Sequence, residues 1–346
     1  MTTRRSLLAG GAVLGLGACT PHTDGNVLTA VDVHPTDYPT VEAVRWIGAE
    51  LERETGGRLS IREYPGGQLG TENDTVALTH FNVLNFCRVT AAALNNTFPL
   101  TQALVVPYTF HTEEHMRRSV DGSVGQEILA SFESKGLIGL ALYDGGARSM
   151  YTARHAVHEP RDMHGLKVRV PRSDIFLQML DVMGANPTPI PFGEVFTGLQ
   201  THLIDAAENN WSTFQSTRQY EVARYWSQTE HCHSPDVLMF SKIRYDAMSP
   251  GDRDLLRAKA RESVTVMRGL WDEKQARARQ IVLDAGVQAN TVERAPFVAA
   301  VALICSANRP LPVLSVIRPQ SPRDLSIVQP VSPASKSLFG NGSISG

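Results

Sequence analysis

The sequence predicts an α/β fold large enough for two domains. Three observations carry this. The chain has 346 residues, enough to build two cores. Short apolar segments alternate with segments of helical spacing, the pattern of βαβ units in a mainly parallel sheet with helices on both faces. One helical pattern starts at Ser249-Pro250 and can run to about Ala285, far beyond the roughly 11–12 residues of a mean helix. A rod of that length can brace two lobes.

The first nineteen residues, MTTRRSLLAGGAVLGLGAC, read as an export signal. Arg4 and Arg5 supply a basic start, and the apolar run 7–16 is too short to span a bilayer. Leu16-Gly17-Ala18-Cys19 resembles a bacterial lipobox with Cys19 as the lipidated mature N-terminus, and Thr3-Arg4-Arg5-Ser6-Leu7-Leu8 resembles a twin-arginine signal. The expected location is periplasmic, with the membrane reached through a lipid on Cys19. The other cysteines, Cys87, Cys232 and Cys305, show no disulfide spacing, and Cys87 and Cys232 are expected as buried free thiols. A formal net charge of −2 argues against nucleic acid as a partner, because tracking phosphates needs clustered excess Lys and Arg.

Residues 27–33 form an apolar strand, and 39–55 a helix with Val41, Val44, Ile47 and Leu51 near helical spacing, closed by Gly56-Gly57. A strand at 59–64 and a helix at 71–79 follow. Residues 121–135 read as helix and 137–143 as a nearly continuous apolar strand that breaks at Asp144-Gly145-Gly146. In 166–170 Leu166, Val168 and Val170 alternate with Lys167 and Arg169 until Pro171 stops the strand. Ser173 is placed to cap a helix to Met183, with Gly184 beyond it. A helix at 193–201 and a strand at 203–207 come next. In the long pattern, Ser249 serves as N-cap, Pro250 sits in the first turn and Asp252 lies near the positive end of the helix dipole. From Ala299 the helical pattern fails, and 309–346 is Pro/Ser-rich and reads as a disordered tail. A shifted reading frame would explain so abrupt a change of composition.

Catalytic signatures are weak or missing. His111-Thr112-Glu113-Glu114-His115 matches the inverted zinc-protease pattern, but Thr112 reads as an N-cap, which leaves His111 outside the helix. An exported zinc hydrolase using His111, Glu114 and His115 is therefore the remote alternative. His231-Cys232-His233 offers two ligands on one strand face without a third or fourth. No G-x-S-x-G elbow, P-loop or G-x-G-x-x-G helix opening occurs, so no cofactor, metal or enzymatic role is expected.

Arg169 stands out. In a sheet covered on both faces, a charge opposite Val168 and Val170 needs a counter-charge or a wet cleft. Its planar guanidinium suits a carboxylate. The strand pattern alone leaves a structural ion pair and an anion clamp equally open. Arg148 and Asn209 both fall just past strands, where open α/β sheets bind ligands, and Asn210 or Trp211 could add an amide or an aromatic face. Asn209-Asn210 as a plain turn is the alternative.

Three segments carry a family resemblance: Gly165-Leu166-Lys167-Val168-Arg169-Val170-Pro171, Pro189 to Gln200 (PIPFGEVFTGLQ) and Ile204-Asp205-Ala206-Ala207-Glu208-Asn209. Tyr64 to Gly70 (YPGGQLG) and Val106-Pro107-Tyr108-Thr109-Phe110 support them. In this order they resemble the solute-binding proteins of tripartite ATP-independent periplasmic (TRAP) transporters, the DctP-like group, from about Val27 to Val287. The resemblance implies a periplasmic-binding-protein-like fold of class II type, with a cleft between lobes and a long helix spanning both. The implied boundaries are 27–146 with about 235–274, and 147–234 with about 275–308. It also implies capture of an organic acid, with Arg169 clamping the carboxylate, Arg148 adding positive field and Asn209 giving directional hydrogen bonds. The segment Asp32 to Pro39 and the ending Glu208-Asn209-Asn210-Trp211 are similar to members that bind sugar acids such as hexuronates; a C4-dicarboxylate is the alternative ligand. His34, Glu72 and Arg88 are further candidates for hydroxyl contacts. The implied partners are membrane permease subunits, the expected state is a monomer, and a sensor lobe serving a kinase receptor is the other rival.

Overall fold

The computed structural model describes residues 27–307. The export signal, Cys19 and the 309–346 tail lie outside the described residues.

The strands form two separate sheets. The first contains β1 (Val27–Val31), β2 (Ser60–Tyr64), β3 (Phe86–Thr90), β4 (Leu137–Tyr143) and β10 (Asp236–Ser241), in the order β2-β1-β3-β10-β4. The second contains β5 (Ala147–Thr152), β6 (Lys167–Val170), β7 (Asn186–Pro189), β8 (Ala206–Asn209), β9 (Tyr225–His233) and β11 (Gln288–Thr291), in the order β11-β9-β5-β8-β6-β7. Both sheets are mixed, which corrects the expectation of mainly parallel pairing. β10 runs antiparallel to β3 and β4, and β5 runs antiparallel to β8 and β9. The reason is the double crossing of the chain. β4 leads straight into β5, and β9 returns straight into β10, so each sheet receives a strand that enters from the other lobe.

Most local signals work as read. The helix Pro39–Glu54 buries Val41, Val44, Ile47 and Leu51 on one face. Thr71 caps the helix Glu72–His80 through a reciprocal capping box with Asp74, and Ser173 caps Asp174–Val182 by accepting from the Phe176 N–H. Pro187 and Pro189 sit in β7, at the edge of its sheet, where a missing N–H breaks no ladder. The 121–135 helix is interrupted: Gly122 separates Glu113–Asp121 from Ser123–Ser131. The last described helix, Arg294–Ala307, runs past the point where the helical pattern seemed to fail, and packs Phe297 and Val301 into the core. Its run of small apolar residues has no polar face to mark a period.

The long helix, Pro250–Asp284, has 35 residues and is capped by Ser249. It serves both cores. Leu256, Ala260, Met267 and Trp271 join the apolar cluster around Phe86, Ile138 and Phe240 in the first lobe. Val282 joins the cluster around Tyr151, Phe214 and Trp226 in the second. Between Trp271 and Val282, Gln275 accepts from the backbone N–H and hydroxyl of Ser212, so the last third of the rod is tied to the second lobe.

The two sheet crossovers touch. Gly145 lies in the first and Ser234 in the second, and a Cβ on Gly145 would stand 1.8 Å from the Ser234 carbonyl oxygen. Backbone cannot give way there as a flexible side chain would. Gly145→Ala is expected to cost about 3 kcal/mol or more through this clash, read as a lowered midpoint in urea unfolding at unchanged slope.

Candidate functional site

Three arginines are buried among the described residues: Arg88, Arg148 and Arg169, at 2%, 5% and 4% exposure. All three line one cavity between the sheets. A buried guanidinium cannot lose its proton, so its surroundings must supply the lost hydration.

Arg88 belongs to the first lobe. It sits on β3 between Cys87 and Val89, both packed in the core. Its guanidinium grips Asp32 with two N–H groups, Nε reaching Oδ2 at 3.0 Å, and its Nη1 donates to Glu72 Oε1 at 3.2 Å. Asp236 lies 3.5 Å away as a third carboxylate. Asp32 also accepts from the His34 backbone N–H and the Thr40 hydroxyl. Burial pushes the Asp32 carboxyl up, but Arg88 and His34 outweigh it and hold the group well below the usual range. The His34 ring stacks on Tyr38 at 3.8 Å, and the Tyr38 hydroxyl meets the Thr213 hydroxyl of the second lobe at 2.9 Å.

Arg148 belongs to the second lobe and is saturated in a different way. Nε and Nη2 pair with the two carboxylate oxygens of Glu208 at 2.6 and 2.8 Å, and Nη2 also reaches the Glu208 carbonyl at 3.0 Å. Glu208 is fully buried and has His231 Nε2 3.3 Å away. Burial raises the Glu208 carboxyl, yet Arg148 and His231 keep it below its ordinary value. The positive field expected of Arg148 is thus compensated in place. Its remaining bond, Nη1 to Asn209 Oδ1 at 3.1 Å, does something else. Asn209 Oδ1 also accepts from the Asn210 N–H. With its oxygen committed twice, the Asn209 carboxamide keeps its NH₂ donors uncommitted, and the residue lines the cavity.

Arg169 on β6 has no such partner. Val168 and Val170 point into the core, and the pleat turns Arg169 to the cavity. Its Nε donates to the Ile190 carbonyl at 3.1 Å, and it forms no ion pair within the described residues. The electrostatics record the difference. Despite burial, acidic partners raise Arg88 and Arg148 above the ordinary guanidinium value, whereas burial lowers Arg169.

Empty space in the cavity, open solvent at its mouth included, is about 400 Å³. Of the residues singled out from sequence, the cavity brings together Arg169, Arg148, Asn209, His34, Glu72 and Arg88. Trp211 is not among the lining residues. It opens the helix Trp211–Ser216 and stacks on Trp226 at 3.8 Å, with the Arg279 guanidinium 5.9 Å from its ring. Arg148 and Asn209 lie inside strands, the second residue of β5 and the last of β8, rather than in the turns beyond them. The lining residues that sequence reading missed include Asp236, Thr213 and Phe192. Asp236 opens β10, a fully buried strand whose lack of alternation hid it. Asn210 was noted only as an extra amide; it caps the Trp211–Ser216 helix and donates to the Gly145 carbonyl at 2.8 Å, tying the cavity wall to the crossover.

The H-x-x-E-H residues are not arranged on a helix face. Thr112 accepts from the His115 N–H as N-cap, which leaves His111 ahead of the helix, and Glu114 pairs with Arg118. Among the described residues one carboxylate group, Glu113, Asp144 and Asp272, has metal-like spacing, but Arg117 pairs with all three. His231 and His233 are both buried; His231 is engaged by Glu208 and Thr229, and His233 Nδ1 has no partner.

Residues 30–307 match the family described as bacterial extracellular solute-binding protein, family 7, also called DctP. The chain belongs to this family. The two-lobed α/β fold is that of TRAP periplasmic solute-binding proteins. A solute-binding protein of Chromohalobacter salexigens is 36% identical over 262 residues, covering 76% of this chain and 78% of its own. The crystal structure of a TRAP solute-binding protein from Bradyrhizobium, in complex with D-galacturonate, is 45% identical with a TM-score of 0.82, covering 84% of this chain and 97% of that one. Another from Pseudomonas putida F1, with bound D-glucuronate, is 31% identical with a TM-score of 0.83, covering 85% and 98%. Among the described residues no helix is long and apolar enough to cross a membrane.

Two outcomes follow from this geometry. Burial pushes the His233 imidazole down to about 4, so the folded state resists a proton that the unfolded chain accepts near pH 6.5. The stability this gives is complete above pH 6.5 and is lost as pH falls toward 4, by roughly 3 kcal/mol. In acid-range urea titrations, His233→Gln should flatten that part of the slope; an unchanged slope would contradict the assignment. Trp211→Ala should lower stability by roughly 2–3 kcal/mol through its lost stacking and burial, while changing ligand affinity less than threefold.

Proposed function

We propose that this chain captures a hexuronate outside the cytoplasmic membrane and hands it to a TRAP permease. The observation that carries the reading is the Arg169 guanidinium: buried, facing the cavity and without a counter-charge. A protein that leaves such a charge uncompensated gains most when a ligand carboxylate arrives to complete it. Arg169 takes the carboxylate through its two free Nη groups. The Asn209 amide, aimed by Arg148, donates to the same end of the ligand. His34, Glu72 and Arg88, across the cavity, meet sugar hydroxyls. Relatives whose structures hold galacturonate and glucuronate support the sugar acid over a C4-dicarboxylate.

The lobes divide at 27–146 with about 235–274, and 147–234 with about 275–308, with the ligand between them. Lipidation of Cys19 would tether the protein to the membrane and hold it near the permease. The protein acts as a monomer and uses no cofactor.

A thermal-shift and calorimetry panel tests this: galacturonate, glucuronate, an aldonate and succinate. A hexuronate at 100 times its dissociation constant should stabilise the fold by about 2.7 kcal/mol, and succinate should give no shift. Arg169→Ala should abolish the shift. Arg169→Lys should weaken binding at least tenfold, because an ammonium cannot reproduce the bidentate fork. Flat melting across every acid would overturn the reading.

A further inference from the structure

The two walls of the cavity carry opposite charge. The second-lobe wall holds a compensated Arg148–Glu208 pair and the uncompensated Arg169. The first-lobe wall holds one guanidinium, Arg88, ringed by three carboxylates, Asp32, Glu72 and Asp236. These carboxylates are not equivalent. Asp32 is consumed by Arg88, His34 and Thr40. Glu72 Oε1 accepts from Arg88 and from the Thr90 N–H. The Asp236 carboxylate accepts no hydrogen bond from any described residue; its ion contact is Arg88 Nη1 at 3.5 Å. It is only 5% exposed and lines the cavity.

We propose that Asp236 determines specificity: it accepts a hydroxyl hydrogen bond from the uncharged end of the ligand and excludes any acid with a second carboxylate there. A hydroxyl completes a buried carboxylate, just as a carboxylate completes a buried guanidinium. A second carboxylate would instead face Asp236 and Glu72, and like charges brought together at a desolvated contact cost several kcal/mol. The position of Asp236 makes this selective. As first residue of β10 it sits opposite Thr90 of β3 and Tyr143 of β4, on a rigid central strand that cannot swing its carboxylate away. Burial raises the Asp236 carboxyl against the opposing pull of Arg88, consistent with a group whose charge is under-compensated in the empty cavity.

The inference deepens the hexuronate reading and rests on it. Galacturonate and galactarate separate the two, since both are six-carbon acids and galactarate carries a carboxylate at each end. Wild-type protein should bind galacturonate more than about 100-fold tighter than galactarate, by calorimetry at fixed pH and salt. Asp236→Asn keeps the shape and removes the charge. It should weaken galacturonate about tenfold and narrow the preference over galactarate by tenfold or more. Asp236→Ser is the second variant should the first not fold, as judged by its melting transition. Comparable wild-type binding of both acids, or a preference unchanged in the variant, would overturn the role of Asp236 and leave the hexuronate reading standing. Binding of neither acid by wild-type protein would bring down the hexuronate reading and this inference together.

Discussion

The cost of burying a guanidinium governs this molecule. Arginine stays charged in any protein interior, and taking it out of water is worth several kcal/mol per ion unless partners replace the water. Three such groups surround one small cavity, and much of the surrounding structure exists to settle them. Asp32 follows β1 directly, Glu72 opens a capped helix and Asp236 opens β10; each element delivers a carboxylate to Arg88. Glu208, buried on β8, does the same for Arg148 and leaves Asn209, the next residue, aimed by the same guanidinium. The exception is Arg169, and the function is read from that exception.

The sequence showed the second lobe's share of the site more clearly than the first's. Arg169 was visible because it interrupts an alternating apolar strand, and Arg148 and Asn209 because they flank apolar runs. Arg88 was harder to place. It interrupts FCRVT, where its Asp32 partner lies 56 residues away and no local pattern joins them. β9 and β10 escaped for opposite reasons. β9 reads YWSQTEHCH, polar by composition yet largely buried, because its hydroxyl and imidazole groups bond within the core. β10 is buried along its whole length, so it shows no period of two. Trp211 looked like a ligand platform by its position after Asn209, but helix geometry turns it onto Trp226 instead. The mixed sheets were illegible for a topological reason: strand direction follows from where the chain crosses between lobes, which short apolar runs do not encode.

The lobes share one apolar cluster, in which Phe98 and Val105 of the first join Phe176 and Cys232 of the second, and polar contacts add to it. Tyr38 bonds Thr213, the Asn95 amide donates to the Ser173 hydroxyl at 2.6 Å, and the Asn96 amide to Asp174 at 3.0 Å. Each contact is modest, and the bonds to Ser173 and Asp174 engage the start of a helix that Ser173 already caps. Water can replace such hydrogen bonds at modest cost, whereas the shared apolar cluster cannot be exposed so cheaply.

Gly145 and Ser234 belong at once to the crossovers and to the cavity wall. Two short stretches of backbone, one from each crossover, therefore both join the lobes and line the cavity. A solute held in the cavity would touch the backbone that joins the lobes, and lobes that moved apart would strip contacts from it. Residence time would then follow the rate at which the lobes open. A permease that pries the lobes apart would set the pace of release without competing for the solute itself.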